Sequence, residues 1–154
     1  MKKILLILGL FLIGVVAFAS EDTDAVVVFF NKYVKAANSY DKNYFSYYAP
    51  NPTIIRVVIK PNGQKVPVNV PFARYKKETR SGMKLGKIVR YKNTYSNIDV
   101  TKLDEGTYKI TTLRHPSTGK KKFSAYFIIV KDTDGQFKIQ EESMETPVQK
   151  FLEG

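Results

Sequence analysis

FFNKYVKAANSYDKNYFSYYAPNPTIIRVVI, residues 29–59, changes its pattern twice, and those changes decide the fold. Phe30, Val34 and Ala37 continue a spacing of three and four that begins at Val27, while Val26, Phe29 and Tyr33 widen the stripe. Apolar positions at that period cover one face of a helix, predicted here over residues 24–38. Asn38-Ser39 ends it, and Asp41 stands where an N-cap carboxylate accepts the free backbone N–H groups of a second helix. That helix is short: Tyr44, Phe45 and Tyr48 share a face, and Pro50 and Pro52 stop it. From Thr53 onward the β-branched residues of a strand take over. Five tyrosines and Phe45 therefore crowd one corner between two helices, within residues 33–50.

Working outward, residues 53–60 and 64–70 flank Pro61-Asn62-Gly63 and read as a hairpin, with Pro67 placing the returning strand at a sheet edge. Residues 72–81, opened by Pro71 and closed by Gly82, form a third helix crowded with charge. Strands follow over 87–100, 107–114, 122–131 and 137–142, divided by Asp104-Glu105-Gly106, Ser117-Thr118-Gly119 and Asp134-Gly135. The order is helix, helix, hairpin, helix, meander.

The chain opens with Met1-Lys2-Lys3, an apolar run from Ile4 to Val16 and the small-residue site Ala17-Phe18-Ala19. That arrangement predicts a bacterial secretory leader over 1–19, and the run is short of the roughly 20 apolar residues of a spanning helix. Residues 20–154 then form a single domain in the periplasm or outside the cell. No cysteine is present, so apolar burial alone holds the fold. The formal charge of +11 falls to +9 once Lys2 and Lys3 leave. Outside the cytoplasm such charge favours an anionic envelope surface over nucleic acid.

The helix corner, the aspartate just after it, the aromatic short helix and the later helix with its long meander resemble the nuclear transport factor 2-like superfamily, also called ketosteroid isomerase-like. The resemblance implies an α+β fold in which N-terminal helices pack in a strongly curved antiparallel sheet and leave a cone-shaped pocket. It fixes no function, because the fold hosts enzymes, transport adaptors and binding proteins. It places the rings of Tyr33, Tyr44, Tyr48, Tyr91 and Tyr95 on the pocket walls, each offering an apolar face and one hydroxyl. Arg56 alternates with Ile54 and Val58, so it faces either a ligand carboxylate or phosphate, or an internal acid such as Glu78. Residues 122–131 are apolar on both faces, and the resemblance covers the second face with another subunit, a homodimer; the alternative cover is the C-terminal segment 147–152.

Catalytic chemistry has little support in the sequence. His115, the single histidine, falls in a predicted hairpin tip beside Lys120-Lys121-Lys122, with no carboxylate and nucleophile arranged around it. Asp41 reads as a cap and Asp99 lies near a strand end. Asp132, Asp134, Gly135 and Glu141 match part of a calcium loop whose first ligand position holds Val130, so a hairpin turn is the simpler reading. No zinc cluster and no phosphate-binding glycine loop appears. Arg74, Lys76, Lys77 and Arg80 on the third helix form a second basic concentration. The expectation is a non-catalytic binding or interaction protein without cofactor or metal, whose pocket takes a small amphipathic or lipid-like, anionic ligand. The alternative is an isomerase- or dehydratase-type enzyme using a pocket acid and a tyrosine; a cystatin-type protease inhibitor is a third reading, weakened by GKIVRY at 86–91 where a Gln-x-Val-x-Gly loop belongs.

Overall fold

The computed structural model describes residues 17–153. The expected leader lies outside them, apart from residues 17–19 at the start of the first helix, α1 (Ala17–Asn38). A 3-10 turn (Tyr44–Tyr47) leads into β1 (Tyr48–Ile59) and β2 (Lys65–Asn69), followed by α2 (Phe72–Ile88). Then come β3 (Asn93–Asp104), β4 (Thr107–Pro116), β5 (Phe123–Lys131), β6 (Phe137–Thr146) and a closing 3-10 turn (Gln149–Glu153). The strands make one curved, open sheet in the order β2-β1-β6-β5-β4-β3, with the helices against its concave face. The protein is thus α+β, and Pro67 sits on an edge strand, where its missing N–H costs no ladder bond.

Four details differ from the sequence-based reading. The sheet is antiparallel except between β1 and β6, which run parallel; the long connection through α2 and four strands permits either direction. Tyr48 opens β1 instead of closing the short helix. Helix α2 continues through Gly82 and Gly86 to Ile88, so residues 87 and 88 are helical and β3 starts later, at Asn93. A glycine inside a helix costs only about 1 kcal/mol, which the packing of buried Tyr75 and half-buried Met83 offsets. Finally, β6 runs past Glu142 to Thr146.

The core forms where α1 lies on the sheet. Val26 and Phe30 cluster with Ile54 of β1, Ile110 of β4, Phe127 and Ile129 of β5 and Ile139 of β6, all within 1 % of full burial. Each such side chain contributes roughly 1.5–3 kcal/mol of apolar transfer energy. Phe30 fixes the helix by edge contacts to Phe127 at 4.9 Å and Tyr95 at 5.3 Å. On β5 the odd residues 123–129 are buried, whereas Tyr126, Ile128 and Val130 on the convex face are half-buried. The closing 3-10 turn packs against β1, where Gln149 donates to the Ile59 carbonyl at 2.9 Å.

Candidate functional site

A cavity of about 280 Å³ opens between α1, α2 and the concave face of the sheet. Its inner end is formed by Tyr33, Tyr44, Tyr75, Arg56 and Glu142, all buried. Its outer part is bounded by half-buried Tyr40, Tyr91, Asn93 and Tyr95, with Val34, Ala37, Met83 and Met144 as apolar walls. Gly86 lets α2 approach: a Cβ there would stand 3.2 Å from the Tyr40 ring. The single hydrogen of the Tyr40 hydroxyl is shared between the carbonyls of Gly86 and Tyr91, tying the helix corner to the end of α2.

At the inner end one carboxylate organises five side chains. Glu142, fully buried, accepts from Arg56 Nη2 at 2.7 Å through Oε1 and from the hydroxyls of Tyr33 (2.9 Å) and Tyr48 through Oε2. Tyr33 and Tyr48 each have a single hydrogen, and both are committed to Glu142. Tyr44 also has one hydrogen, which goes to either Tyr33 (2.9 Å) or Tyr48 (2.8 Å), and that of Tyr75 goes to either Tyr48 (2.9 Å) or Tyr44 (3.0 Å). The network is directional, with every hydroxyl pointing toward the acid. Arg56 also lies over the Tyr75 ring at 5.1 Å and donates to the Ile55 carbonyl at 3.0 Å.

Burial, and after it the charge of Glu142, pushes the Tyr33 and Tyr48 hydroxyls well above the ordinary tyrosine range. Burial raises Tyr44 strongly as well, followed by Tyr75 and Glu142, and raises Tyr75 and Tyr95 with Glu142 next. All five remain neutral donors. For Arg56, burial works against the charge, but Glu142, Tyr75 and Tyr48 together outweigh it and the net shift is upward.

Of the six residues singled out by sequence, Tyr33, Tyr44, Arg56, Tyr91 and Tyr95 line the cavity. Tyr48 stands behind them and enters only through its hydroxyl. Arg56 meets an internal acid, Glu142; Glu78 instead pairs with Arg74 at 3.0 Å, one helical turn away. The sequence reading missed Glu142, Tyr75, Tyr40 and Arg114. Asp41 is not the expected N-cap: Asn43 occupies that position without a side-chain cap bond, and Asp41 accepts the Asn43 N–H at 2.8 Å in the turn before it, while Asp99 is exposed. His115 lies within β4, half-buried, not in the hairpin tip, with Nε2 2.7 Å from Ser96 Oγ. No carboxylate among the described residues bonds its ring, so the pair lacks the group that orients a catalytic imidazole. Asp132 Oδ1 accepts from the N–H groups of Asp134 and Gln136, closing a turn in which Gly135 takes φ +74°.

No family model and no curated protein sequence matches the chain. Solved structures do. An uncharacterised protein with a cystatin-like fold from Caulobacter vibrioides superposes with a TM-score of 0.61 at 13 % identity, over 81 % of this chain and 89 % of that one. A candidate scytalone dehydratase from Novosphingobium aromaticivorans gives 0.55 at 14 % identity, over 83 % and 85 %. A candidate ketosteroid isomerase from Shewanella frigidimarina gives 0.53 at 14 %, over 75 % and 90 %. Together with the helices seated in a curved sheet around a tyrosine-lined cavity, these place the chain in the cystatin-like, nuclear transport factor 2-like fold.

Proposed function

We propose that the protein is a non-catalytic, exported binding module whose cavity holds a small amphipathic molecule. The observation that carries this reading is the state of Glu142: both oxygens are already bonded, one to a guanidinium and one to two hydroxyls. A general base needs an oxygen within reach of the proton it removes. Isomerase or dehydratase chemistry, as named for two of the structural neighbours, would require that oxygen to be released. The inner polar end instead serves recognition, and the walls of Val34, Ala37, Met83 and Met144 take the apolar part of the ligand. The expected leader supports export, to the periplasm or the medium, as part of this reading.

Two surfaces suit partners. Tyr126, Ile128 and Val130 on the convex face, beside a groove of about 500 Å³ that includes Val57 and Leu113, support a homodimer packed sheet to sheet. Native mass spectrometry of protein purified from its own compartment reads both proposals: the expected species is a dimer carrying a small molecule that leaves on denaturation. A bare monomer contradicts dimer and ligand together.

The second surface is the end of α2, where Leu85, Ile88 and Val89 are 64 %, 78 % and 56 % exposed beside Lys84, Lys87 and Arg90. Apolar residues ringed by cations fit an anionic lipid surface. Cosedimentation with phosphatidylglycerol vesicles should exceed that with phosphatidylcholine, and Leu85→Ser with Ile88→Ser should weaken it by about tenfold or more. Equal binding to both vesicles would remove this surface from consideration.

A further inference from the structure

We infer that the outer part of the cavity is an acceptor site for a monocarboxylate, with Arg114 as its cation. This deepens the binding reading above and rests on it. Arg114 projects from the concave face of β4 and is only 8 % exposed. Buried charges are normally matched by an opposite charge. Arg56, equally buried, has Glu142. Arg114 has none: no carboxylate among the described residues lies within ion-pair distance of it. Glu145 offers it only its backbone carbonyl, at 2.9 Å from Nη2, and directs its carboxylate to Lys65 and the Ser124 N–H.

The remaining neighbours of Arg114 are neutral. Nη1 donates to Asn93 Oδ1 at 3.0 Å and to Tyr91 Oη at 3.3 Å, and the Phe123 ring lies 5.3 Å beneath the guanidinium. Its Nε is buried with no acceptor at all. The concave face therefore holds two buried guanidiniums, Arg56 and Arg114, against one buried carboxylate, Glu142. The imbalance is a single positive charge. A monoanion corrects it, whereas a phosphate dianion would reverse it.

Arg114 stands directly behind the cavity wall, where its Nη1 bonds Tyr91 and Asn93, and both of these line the cavity. A carboxylate arriving there replaces Asn93 Oδ1 and Tyr91 Oη as acceptor at Nη1. The Tyr91 hydroxyl, which now donates to Asn93 Oδ1 at 3.0 Å, turns its hydrogen to the ligand, and the Asn93 amide nitrogen can do the same. Charge-assisted contacts of this kind are stronger than neutral ones. The alkyl part then lies along Tyr95 and the apolar walls of Val34, Ala37, Met83 and Met144.

The test compares octanoate with its isosteric neutral analogue octanamide by titration calorimetry, on the wild type, Arg114→Met and Arg114→Lys. Wild type should favour octanoate by about tenfold or more, or about 1.4 kcal/mol. Arg114→Met should erase that preference by weakening octanoate far more than octanamide, and Arg114→Lys should restore part of it. Excess inorganic phosphate should not displace octanoate. Equal affinity of the wild type for both compounds overturns the carboxylate site while leaving the binding module intact; no binding of either compound overturns both. Retention of the preference in Arg114→Met overturns the assignment to Arg114. Should that variant fail to fold, the wild-type ratio and the phosphate competition decide.

Discussion

Glu142→Ala lowers the free energy of unfolding by about 3–5 kcal/mol, because it removes one partner of a buried ion pair and leaves the other uncompensated. Arg56 stays inside at 8 % exposure with its nearest anion gone, and Tyr33 and Tyr48 lose the acceptor for their only hydrogens. A small domain has roughly 5–15 kcal/mol in total, so a substantial share of the molecules unfolds at physiological temperature. Urea denaturation followed by circular dichroism measures the loss. Glu142→Gln keeps the shape and two lone pairs on one oxygen and should cost less. The pair itself need not stabilise the fold relative to apolar packing: Arg56→Met with Glu142→Leu should lose clearly less than the two single changes added together. A loss below about 1 kcal/mol for Glu142→Ala, the scale of an exposed pair, would show that water reaches this carboxylate.

Why the tyrosines were legible in the sequence while their organising acid was not comes down to period. The helix corner advertises itself: Tyr33 falls on the apolar face of α1, and Tyr44 and Tyr48 lie on either side of the short turn that follows. The alternation of β1 put Arg56 on the same face as Ile54 and Val58, and the structure buries all three. On β6 alternation misleads. Ile139 faces the core, so strict period two would send Glu141 and Ser143 inward and Glu142 to solvent. The register shifts at this point, with Ile128 opposite Glu141 but Ile129 opposite Ile139, and Gln140 is the extra residue. A bulge turns the following residues over. Glu142 enters the core, and Glu141 meets the Tyr126 hydroxyl at 2.7 Å on the other side.

Tyr75 and Arg114 were hidden for other reasons. Tyr75 sits in a helix read for its charges, among Arg74, Lys76 and Lys77, and its inward direction depends on how α2 crosses the sheet. Arg114 does alternate with buried Ile110 and Thr112, so its burial was readable. What no pattern shows is the lack of an acid beside it, since that depends on which residues β3 and β6 bring to its two sides.

The tyrosine cluster makes the fold sensitive to alkali. In the unfolded chain each tyrosine gives up its proton near pH 10. In the folded protein Tyr33, Tyr44, Tyr48 and Tyr75 hold theirs to higher pH, chiefly because burial disfavours the anion and further because Glu142 adds like charge. Folded pKa values lie above unfolded ones, so this stability is complete below about pH 10 and is lost as pH rises beyond it. Each group removes about 1.4 kcal/mol per pH unit over that window, and four together about 5–6. A domain of ordinary stability then unfolds within one to two units above about pH 10. Arg56, also shifted upward, only adds to the loss at still higher pH. Tyrosinate absorbance and circular dichroism should share one steep midpoint, because the cluster ionises only when the fold opens. Tyr44→Phe with Tyr75→Phe removes two of the titrating groups and should make the transition shallower. A gradual rise of tyrosinate absorbance near pH 10 from every ring, with the dichroism unchanged to about pH 12, would mean that these hydroxyls already reach solvent in the native protein.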